Sequence, residues 1–134
     1  ISGYMGRACT MQNLSAVTAA CMMASRECFE KVAGFEEILR VALNDVDFCM
    51  KVQKIGKQVV YNPEAELYHY ESKSRGLEDT PEKLERYNRE VSYFRSRWGE
   101  VLEKGDPYYN VNLSRTTWNC TFRIPPETEK KGKE

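Results

Sequence analysis

Three polar residues, Asn44, Asp45 and Asp47, stand directly before an apolar run with the spacing of a helix. A carboxylate held within hydrogen-bond reach of a hydroxyl can take its proton and so act as a general base. The same residue types are preferred at helix N-termini, where their oxygens accept bonds from unpaired backbone N–H groups. In that second interpretation Asn44 is the N-cap and Asp47 its first-turn partner, and Asp45 is left free. The residues alone leave both interpretations open.

The elements around this stretch are predicted from hydrophobic spacing. The small and apolar residues 13–25 lack a helical period and predict a buried strand. Ser25 then predicts the N-cap of a short helix that ends at Gly34, where a left-handed backbone is needed. Residues 35–43 are predicted to be a loop. The next helix has one apolar face and ends at Gly56, and that face consists of Phe48, Cys49, Val52 and Ile55.

The second half of the chain predicts two strands and a long helix. Residues 58–61 and 66–70 have strand composition and are separated by a turn. Thr80 with Pro81 predicts an N-cap followed by the first helical position. The helix is predicted to end at Gly99, and its apolar stripe, which we interpret as core, consists of Leu84, Tyr87, Val91, Phe94 and Trp98. The layout is α/β, but so few short strands make a poor sheet by themselves.

Composition excludes some classes of protein. The 134 residues include 20 basic and 20 acidic side chains, so no cationic surplus exists for binding nucleic acid as the main task. The five cysteines are odd in number and form no CxxC pair, which predicts free buried thiols in a reducing compartment. The chain does not begin with Met. We therefore expect a piece of a longer protein, in which an upstream half completes the sheet.

Three stretches, taken in order, resemble the C-terminal half of family 2 glycosyltransferases. They read AACMMASRECFEKVAGFEE, NDVDFCMKVQKIGKQVVYNPEAELYHYESKSRG and DPYYNVNLS, within residues 15–114. The likeness is strongest to bacterial polysaccharide and rhamnosyltransferase-like members. It implies the C-terminal part of a GT-A nucleotide-diphospho-sugar transferase fold, a mixed sheet flanked by helices that is incomplete in this chain. Residues 1–114 would be the acceptor-binding and base-carrying half, and residues 115–134 a C-terminal tail.

The resemblance also implies roles for residues that bind the acceptor. Asp45 corresponds to the general base of an inverting sugar transfer. Four residues would line the acceptor site, namely Phe35, Glu36, Glu37 and Asn44. The chain departs from the family at two places. Residues 33–37 read AGFEE where the family usually has GGFDE, and Asn44 replaces the glutamate of the usual Glu-Asp pair.

Donor and metal contacts follow from the same resemblance. Lys73 and Arg75 lie in a loop that would contact the donor diphosphate, for which arginine suits bidentate binding. His69, the only histidine, would be a ligand of Mn²⁺ or Mg²⁺, with the remaining ligands outside this chain. Residues 45–47 also spell DxD, the metal motif of such enzymes. We do not assign it that role, because here it opens a helix and does not end a strand.

The resemblance predicts a fragment of an inverting, metal-dependent glycosyltransferase that is inactive without its donor half. Its partners would be a nucleotide sugar and a glycan or lipid-linked acceptor, and not nucleic acid. It would act in the cytoplasm, with peripheral association at the inner membrane face and a homodimer through the exposed sheet edge. The alternative is a non-catalytic carbohydrate-binding or assembly module derived from a degenerate transferase, a reading that the Asn44 replacement favours.

Overall fold

The computed structural model describes residues 4–70, 80–117 and 120–123. These residues form three α-helices, one small sheet and long connecting turns. The elements in chain order are a kinked 3-10 segment at Tyr4–Cys9, strand β1 at Gln12–Asn13, a 3-10 turn at Ala19–Cys21, helix α1 at Arg26–Lys31, helix α2 at Asn44–Lys54, strand β2 at Val60–Tyr61 and helix α3 at Pro81–Lys104. That this arrangement is part of a GT-A fold stays a prediction.

The sheet is a single antiparallel pair. Gln12 lies opposite Tyr61 and Asn13 opposite Val60, and Leu14 N extends the ladder by donating to Val59 O at 3.0 Å. Within the described residues neither strand has a second strand beside it. The described residues therefore contain both helices and strands, but they form one antiparallel strand pair where a mixed sheet was expected.

Two predicted strands are wrong. The pairing ends with the Leu14 N–H, and residues 15–25 continue through the 3-10 turn without forming a strand, with Met23 97% exposed. Residues 66–70 form no strand either, and Tyr68 is 92% exposed. An extended segment becomes a strand only where a neighbour pairs with its N–H and C=O groups. In the described part of the chain, residues 15–25 and residues 66–70 belong to no sheet.

Helix α1 begins and ends as its sequence predicts. Ser25 Oγ accepts a hydrogen bond from Cys28 N at 3.2 Å and caps the first turn. Gly34 has φ +61°, and Ala33 before it is also left-handed with φ 57°. A Cβ on Gly34 would lie 2.8 Å from the Phe29 ring. Glycine therefore allows the close approach of the ring and avoids at position 34 the left-handed backbone penalty that Ala33 bears.

Helix α3 confirms its predicted start but not its predicted end. Thr80 Oγ1 accepts a hydrogen bond from Lys83 N at 3.4 Å. The helix continues through Gly99 and ends at Gly105, where φ is +81°. A glycine inside a helix costs only about 1 kcal/mol relative to alanine. Because the amphipathic pattern continues for another turn, this cost does not stop the helix.

Two apolar clusters hold α2 between the other helices. The first contains Val32, Phe48 and Val52, with Met22, Cys28 and Ile55 packed against it. The second contains Leu39, Phe94 and Trp98, with Leu43, Val46, Met50 and Tyr93 around it. The predicted apolar face of α2 is thus confirmed, and its opposite side packs on α3.

The α3 stripe is core only at its C-terminal end. Phe94 and Trp98 are buried, whereas Leu84 is 52% and Tyr87 43% exposed. Among the described residues the apolar clusters reach α3 only at Tyr93, Phe94 and Trp98, and neither Leu84 nor Tyr87 belongs to a cluster. No helix in the described ranges is long and apolar enough to cross a membrane.

The cysteines and the C-terminal boundary complete the fold. All five thiols are free, as predicted, but only Cys49 is buried, while Cys9 and Cys21 are exposed. The expected start of the tail, residue 115, lies between two segments that are hydrogen-bonded to each other, one at Leu113–Ser114 and one at Thr121–Phe122. Ser114 N donates to Thr121 O at 2.8 Å, and Leu113 bridges to Phe122. Residues 124–134 lie outside the described residues.

Candidate functional site

The start of α2 differs from the predicted cap. The N-cap position is held by Leu43, which has a left-handed backbone with φ 62° and no side-chain cap bond. Asn44 is already the first helical residue, so its prediction as N-cap is wrong. Its Oδ1 accepts a hydrogen bond from Asp45 N at 2.7 Å. Because the chain enters the helix from a left-handed residue, side chains within the first turn satisfy the unpaired N–H groups.

Asp47 has a tertiary role and does not cap the helix. Its side chain is fully buried. Trp98 Nε1 donates a hydrogen bond to Asp47 Oδ1 at 2.8 Å, Arg97 Nε lies 3.3 Å from the same oxygen, and Lys51 Nζ lies 3.5 Å from Oδ2. A buried carboxylate needs such donors and cations to offset the loss of its hydration. Its carboxylate is therefore engaged in joining α2 to α3.

Asp45 is half-buried and held by two backbone N–H groups. Its Oδ2 accepts from Ala19 N at 3.2 Å, and its Oδ1 accepts from Val46 N at 2.9 Å. The expectation that it is left free is therefore wrong. A carboxylate offers about four acceptor positions, so Asp45 retains the capacity to accept a further bond from a hydroxyl. The N–H groups also fix the direction in which it could do so.

A cleft of about 640 Å³ opens between the 3-10 turn, α1 and α2, and Asp45 is not among the residues that line it. Its lining residues are Ala19, Met22, Ala24, Arg26, Phe29, Glu30, Phe35 and Phe48. Three aromatic rings pack together in its wall, with the Phe35 centroid 5.0 Å from Phe48 and 5.9 Å from Phe29. Ala19 lines the cleft and donates to Asp45 through its backbone. Ala19 is therefore the residue that connects the cleft to the candidate base.

The predicted acceptor residues separate in the structure. Phe35 lies in the cleft wall beside the other two rings. Glu36 turns toward α3, where its Oε2 accepts from Arg97 Nη1. Glu37 is exposed, and neither glutamate nor Asn44 lines the cleft. The structure thus brings Asp45 and Phe35 to one region and directs Glu36 to a contact with another helix.

The donor and metal predictions receive no geometric support. Lys73 and Arg75 lie outside the described residues. His69 is exposed on the irregular segment after β2. In residues 4–70, 80–117 and 120–123 no group of three or more His, Cys, Asp or Glu side chains could hold a metal ion. The described residues therefore do not by themselves fit a divalent cation.

The buried thiol of Cys49 lies close enough to Asp45 for the carboxylate charge to affect the pKa of the thiol. Burial raises the pKa of the Cys49 thiol, and the nearby charge of Asp45 raises it further. The backbone of Val17, whose carbonyl lies 3.8 Å from Cys49 Sγ, acts in the opposite direction. Cys49 is accordingly a protonated core residue at neutral pH.

Several residues that shape the site were not foreseen. Phe29 and Phe48 are cleft-wall residues, although the sequence places Phe48 only in the core. The spacing of Asp47 and Lys51, four apart on a helix, was a signal for an ion pair. Glu90 had the same signal, since Arg86 stands four positions before it and Arg86 Nε lies 3.6 Å from Glu90 Oε1, but its bonds to the loop before α2 had none. Its Oε2 accepts from Ala42 N at 2.6 Å and Val41 N at 3.3 Å, 48 and 49 positions away.

Similar proteins are much longer than this chain. It is 51% identical over 114 residues to the uncharacterized protein y4gI of Sinorhizobium fredii, a match that covers 84% of the chain and 12% of that protein. It is 36% identical over 128 residues to the O-antigen biosynthesis protein RfbC of Myxococcus xanthus, which covers 95% of the chain and 10% of that protein. The chain thus spans about a tenth of these two relatives.

A further relative carries an enzyme name. Over 60 residues the chain is 33% identical to the N-acetylglucosaminyl-diphospho-decaprenol L-rhamnosyltransferase of Mycobacterium tuberculosis, which covers 45% of the chain and 20% of that protein. No family model matches the chain, and no solved structure matches it. The two informative names agree with a glycosyltransferase-like relationship, as the sequence motifs imply.

Proposed function

We propose that this chain forms the acceptor-binding part of a glycosyltransferase that builds a bacterial cell-surface polysaccharide. The observation that carries the proposal is the 36% identity to an O-antigen biosynthesis protein along 95% of the chain. The match to a rhamnosyltransferase supports sugar transfer as the activity.

The cleft gives this proposal a structural basis. Ligand sites are typically apolar and aromatic with a few placed polar groups, and the three phenylalanine rings of the cleft wall have that character. The C–H face of an acceptor sugar would pack on the rings. One of its hydroxyls would then reach the open acceptor positions of Asp45 at the rim.

Asp45 would act as the general base in this arrangement. The acceptor hydroxyl oxygen attacks the anomeric carbon of the donor while its proton moves to the Asp45 carboxylate. The new C–O bond forms on the face opposite the leaving group. The bond to the nucleotide diphosphate breaks, and its electron pair leaves with the diphosphate. The anomeric configuration is inverted.

The finer features belong to the same proposal. We propose membership of family 2, completion of a GT-A sheet by residues outside this chain, and a cytoplasmic location at the membrane face. Lys73 and Arg75 are proposed donor contacts. His69 is a proposed ligand of Mn²⁺ or Mg²⁺ whose other ligands come from elsewhere in the full-length protein. A homodimer through the sheet edge stays a prediction, and no catalytic step is assigned to a metal.

The test is sugar transfer by the full-length protein from labelled nucleotide-diphospho-sugars to lipid-linked acceptors. Asp45→Asn is expected to lower the rate by about 10²–10⁴ and to leave nucleotide-sugar binding, measured by calorimetry, unchanged. Glu85→Gln is the matched control, because Glu85 is a carboxylate on the exposed surface of α3 that pairs only with Arg89 among the described contacts.

Two results would contradict the proposal. Full activity of Asp45→Asn would reduce Asp45 to a structural residue of the helix start. Saturable sugar binding without transfer by the wild-type protein would favour the non-catalytic carbohydrate-binding module.

A further inference from the structure

Arg97 on α3 contacts carboxylates from two separate parts of the chain. Its Nη1 forms an ion pair with Glu36 Oε2, and its Nε lies 3.3 Å from Asp47 Oδ1. Glu36 follows Phe35 in the turn after α1, and Asp47 follows Asp45 by two positions in α2. One side chain therefore joins the turn that carries a cleft ring to the helix that carries the candidate base.

The chemistry of arginine suits this bridge. The guanidinium is planar and presents five N–H donors in fixed directions, so different edges can serve two carboxylates at once. Tyr93 OH accepts a further bond from Nη1 at 3.1 Å, and the Trp98 ring lies with its centroid 5.7 Å from Cζ. A lysine ammonium keeps the charge but lacks the fixed fork.

The bridge lies in a different place from the cleft. Arg97 does not line the cleft, and Glu36 does not either. The Phe35 ring, in contrast, packs 5.0 Å from Phe48, which is on α2. The turn is therefore held on α2 by aromatic packing on one side and through Arg97 and Asp47 on the other.

We propose that Arg97 is a positioning residue that sets the distance between the Phe35 ring and Asp45, and so determines how well the acceptor is held. This inference rests on the proposed function. Arg97 is expected to affect acceptor binding and not donor binding. The two residues that it bridges, Glu36 and Asp47, both lie in the part of the chain that we propose binds the acceptor.

The experiment measures kcat and both KM values for the full-length protein. The probes are nucleotide-diphospho-rhamnose as donor and N-acetylglucosaminyl-diphospho-prenol as acceptor, chosen from the name of the rhamnosyltransferase relative. Arg97→Lys and Glu36→Gln are each expected to raise the acceptor KM about fivefold to tenfold, the range for loss of one hydrogen bond of ordinary net strength in a partly exposed pair. The donor KM stays unchanged in both variants.

The double variant and a control sharpen the test. Arg97→Lys with Glu36→Gln is expected to raise the acceptor KM little beyond Arg97→Lys alone, because both changes remove the same contact. Arg89→Lys is the matched control on the same helix, since Arg89 pairs with Glu85 on the exposed surface, and it should leave both KM values unchanged.

The outcomes separate this inference from the proposed function. An unchanged acceptor KM in Arg97→Lys and Glu36→Gln, or an equal rise in both KM values, overturns the positioning role while the transferase stands. If the wild-type protein transfers no sugar between these probes, the proposed function fails for them. In that case hydrogen exchange of residues 34–37 tests whether Arg97 holds the turn. Non-additive effects of Arg97→Lys and Glu36→Gln on the exchange rates support the bridge, and additive effects overturn it.

Discussion

Trp98 Nε1 donates a 2.8 Å hydrogen bond to Asp47 Oδ1 across 51 positions of sequence. The bond joins α3 to the first turns of α2, where the carboxylate is fully buried. The same helix that carries the candidate base is thus anchored two residues after Asp45. The contact between helices thus fixes the backbone from which Asp45 projects, and the Ala19 and Val46 N–H groups bind its carboxylate.

Removing the Asp47 carboxylate should therefore destabilise α2 strongly. Asp47→Ala leaves the buried Trp98 N–H without its acceptor and Lys51 without its counter-charge, which costs about 3–5 kcal/mol. Trp98→Phe keeps an aromatic ring in the core but removes the donor and part of the indole, so it costs about 1–2 kcal/mol for the hydrogen bond and a further amount for the cavity that the smaller ring leaves. Hydrogen exchange of α2 peptides in the full-length protein measures both losses. Equal small effects would show that Asp47 contributes little to the packing of α2.

Glu90 should protect the backbone immediately before α2. Its buried Oε2 accepts hydrogen bonds from the N–H groups of Val41 and Ala42. The Glu90→Gln amide keeps the shape but offers a weaker, uncharged acceptor, so exchange of these two N–H groups should rise about tenfold. Glu85→Gln, on the exposed surface of the same helix, should change nothing there. Unchanged exchange in Glu90→Gln would show that these N–H groups are protected by other means.

Gly34 and Gly56 form a matched pair for testing the shape of the cleft. Both have positive φ, but an added Cβ meets the Phe29 ring at Gly34 and no atom within 4 Å at Gly56. Gly56→Ala should cost only the left-handed backbone penalty of about 1–2 kcal/mol. Gly34→Ala should cost more, since the Phe29 ring in the cleft wall must also move. Thermal unfolding compares them, and equal losses would mean that the ring moves freely.

Cys49 should make stability fall at alkaline pH. Burial raises its pKa in the folded state, so its contribution is fully present below the unfolded value of about 8.5. That contribution is lost as pH rises through the folded pKa, because the unfolded chain releases the proton more readily. The alkaline loss should be smaller in Cys49→Ala and unchanged in Cys21→Ala, whose thiol is exposed. Chemical denaturation between pH 7 and pH 10 measures the slopes, and an unchanged slope in Cys49→Ala would contradict this origin.

The sequence predicted the ends of helices well where the signals are local. Ser25 and Thr80 each cap a helix through an oxygen that bonds an N–H three residues later. Gly34 and Gly56 have the positive φ that helix ends favour. Gly99 was wrongly predicted to end α3 from the same kind of local signal. Its residue type indicates an end, but the surrounding pattern continued the helix to Gly105.

Roles that depend on distant partners were not predictable in the same way. The spacing of Asp47 suggested a cap, but its principal partners are on α3. Glu36 resembled an acceptor residue, and its ion pair is with Arg97, 61 positions away. Strand composition in residues 66–70 did not produce a strand, since strand formation needs a neighbour that local sequence cannot supply. Of the candidate site, Asp45 and Phe35 were foreseen, and Phe29 was not.

The sequence by itself determined the helices, the start signals of α1 and α3, the apolar face of α2 and the motifs that resemble glycosyltransferases. These depend on residues within a few positions of one another, whose propensities and hydrogen bonds act along the chain. Only the tertiary structure decided that Asp47 is buried, that Glu36 faces Arg97 and that three phenylalanine rings wall a cleft whose lining residue Ala19 donates a hydrogen bond to Asp45. Burial and ion pairing depend on which distant segments meet in space. That meeting connects the proposed base to the proposed acceptor cleft.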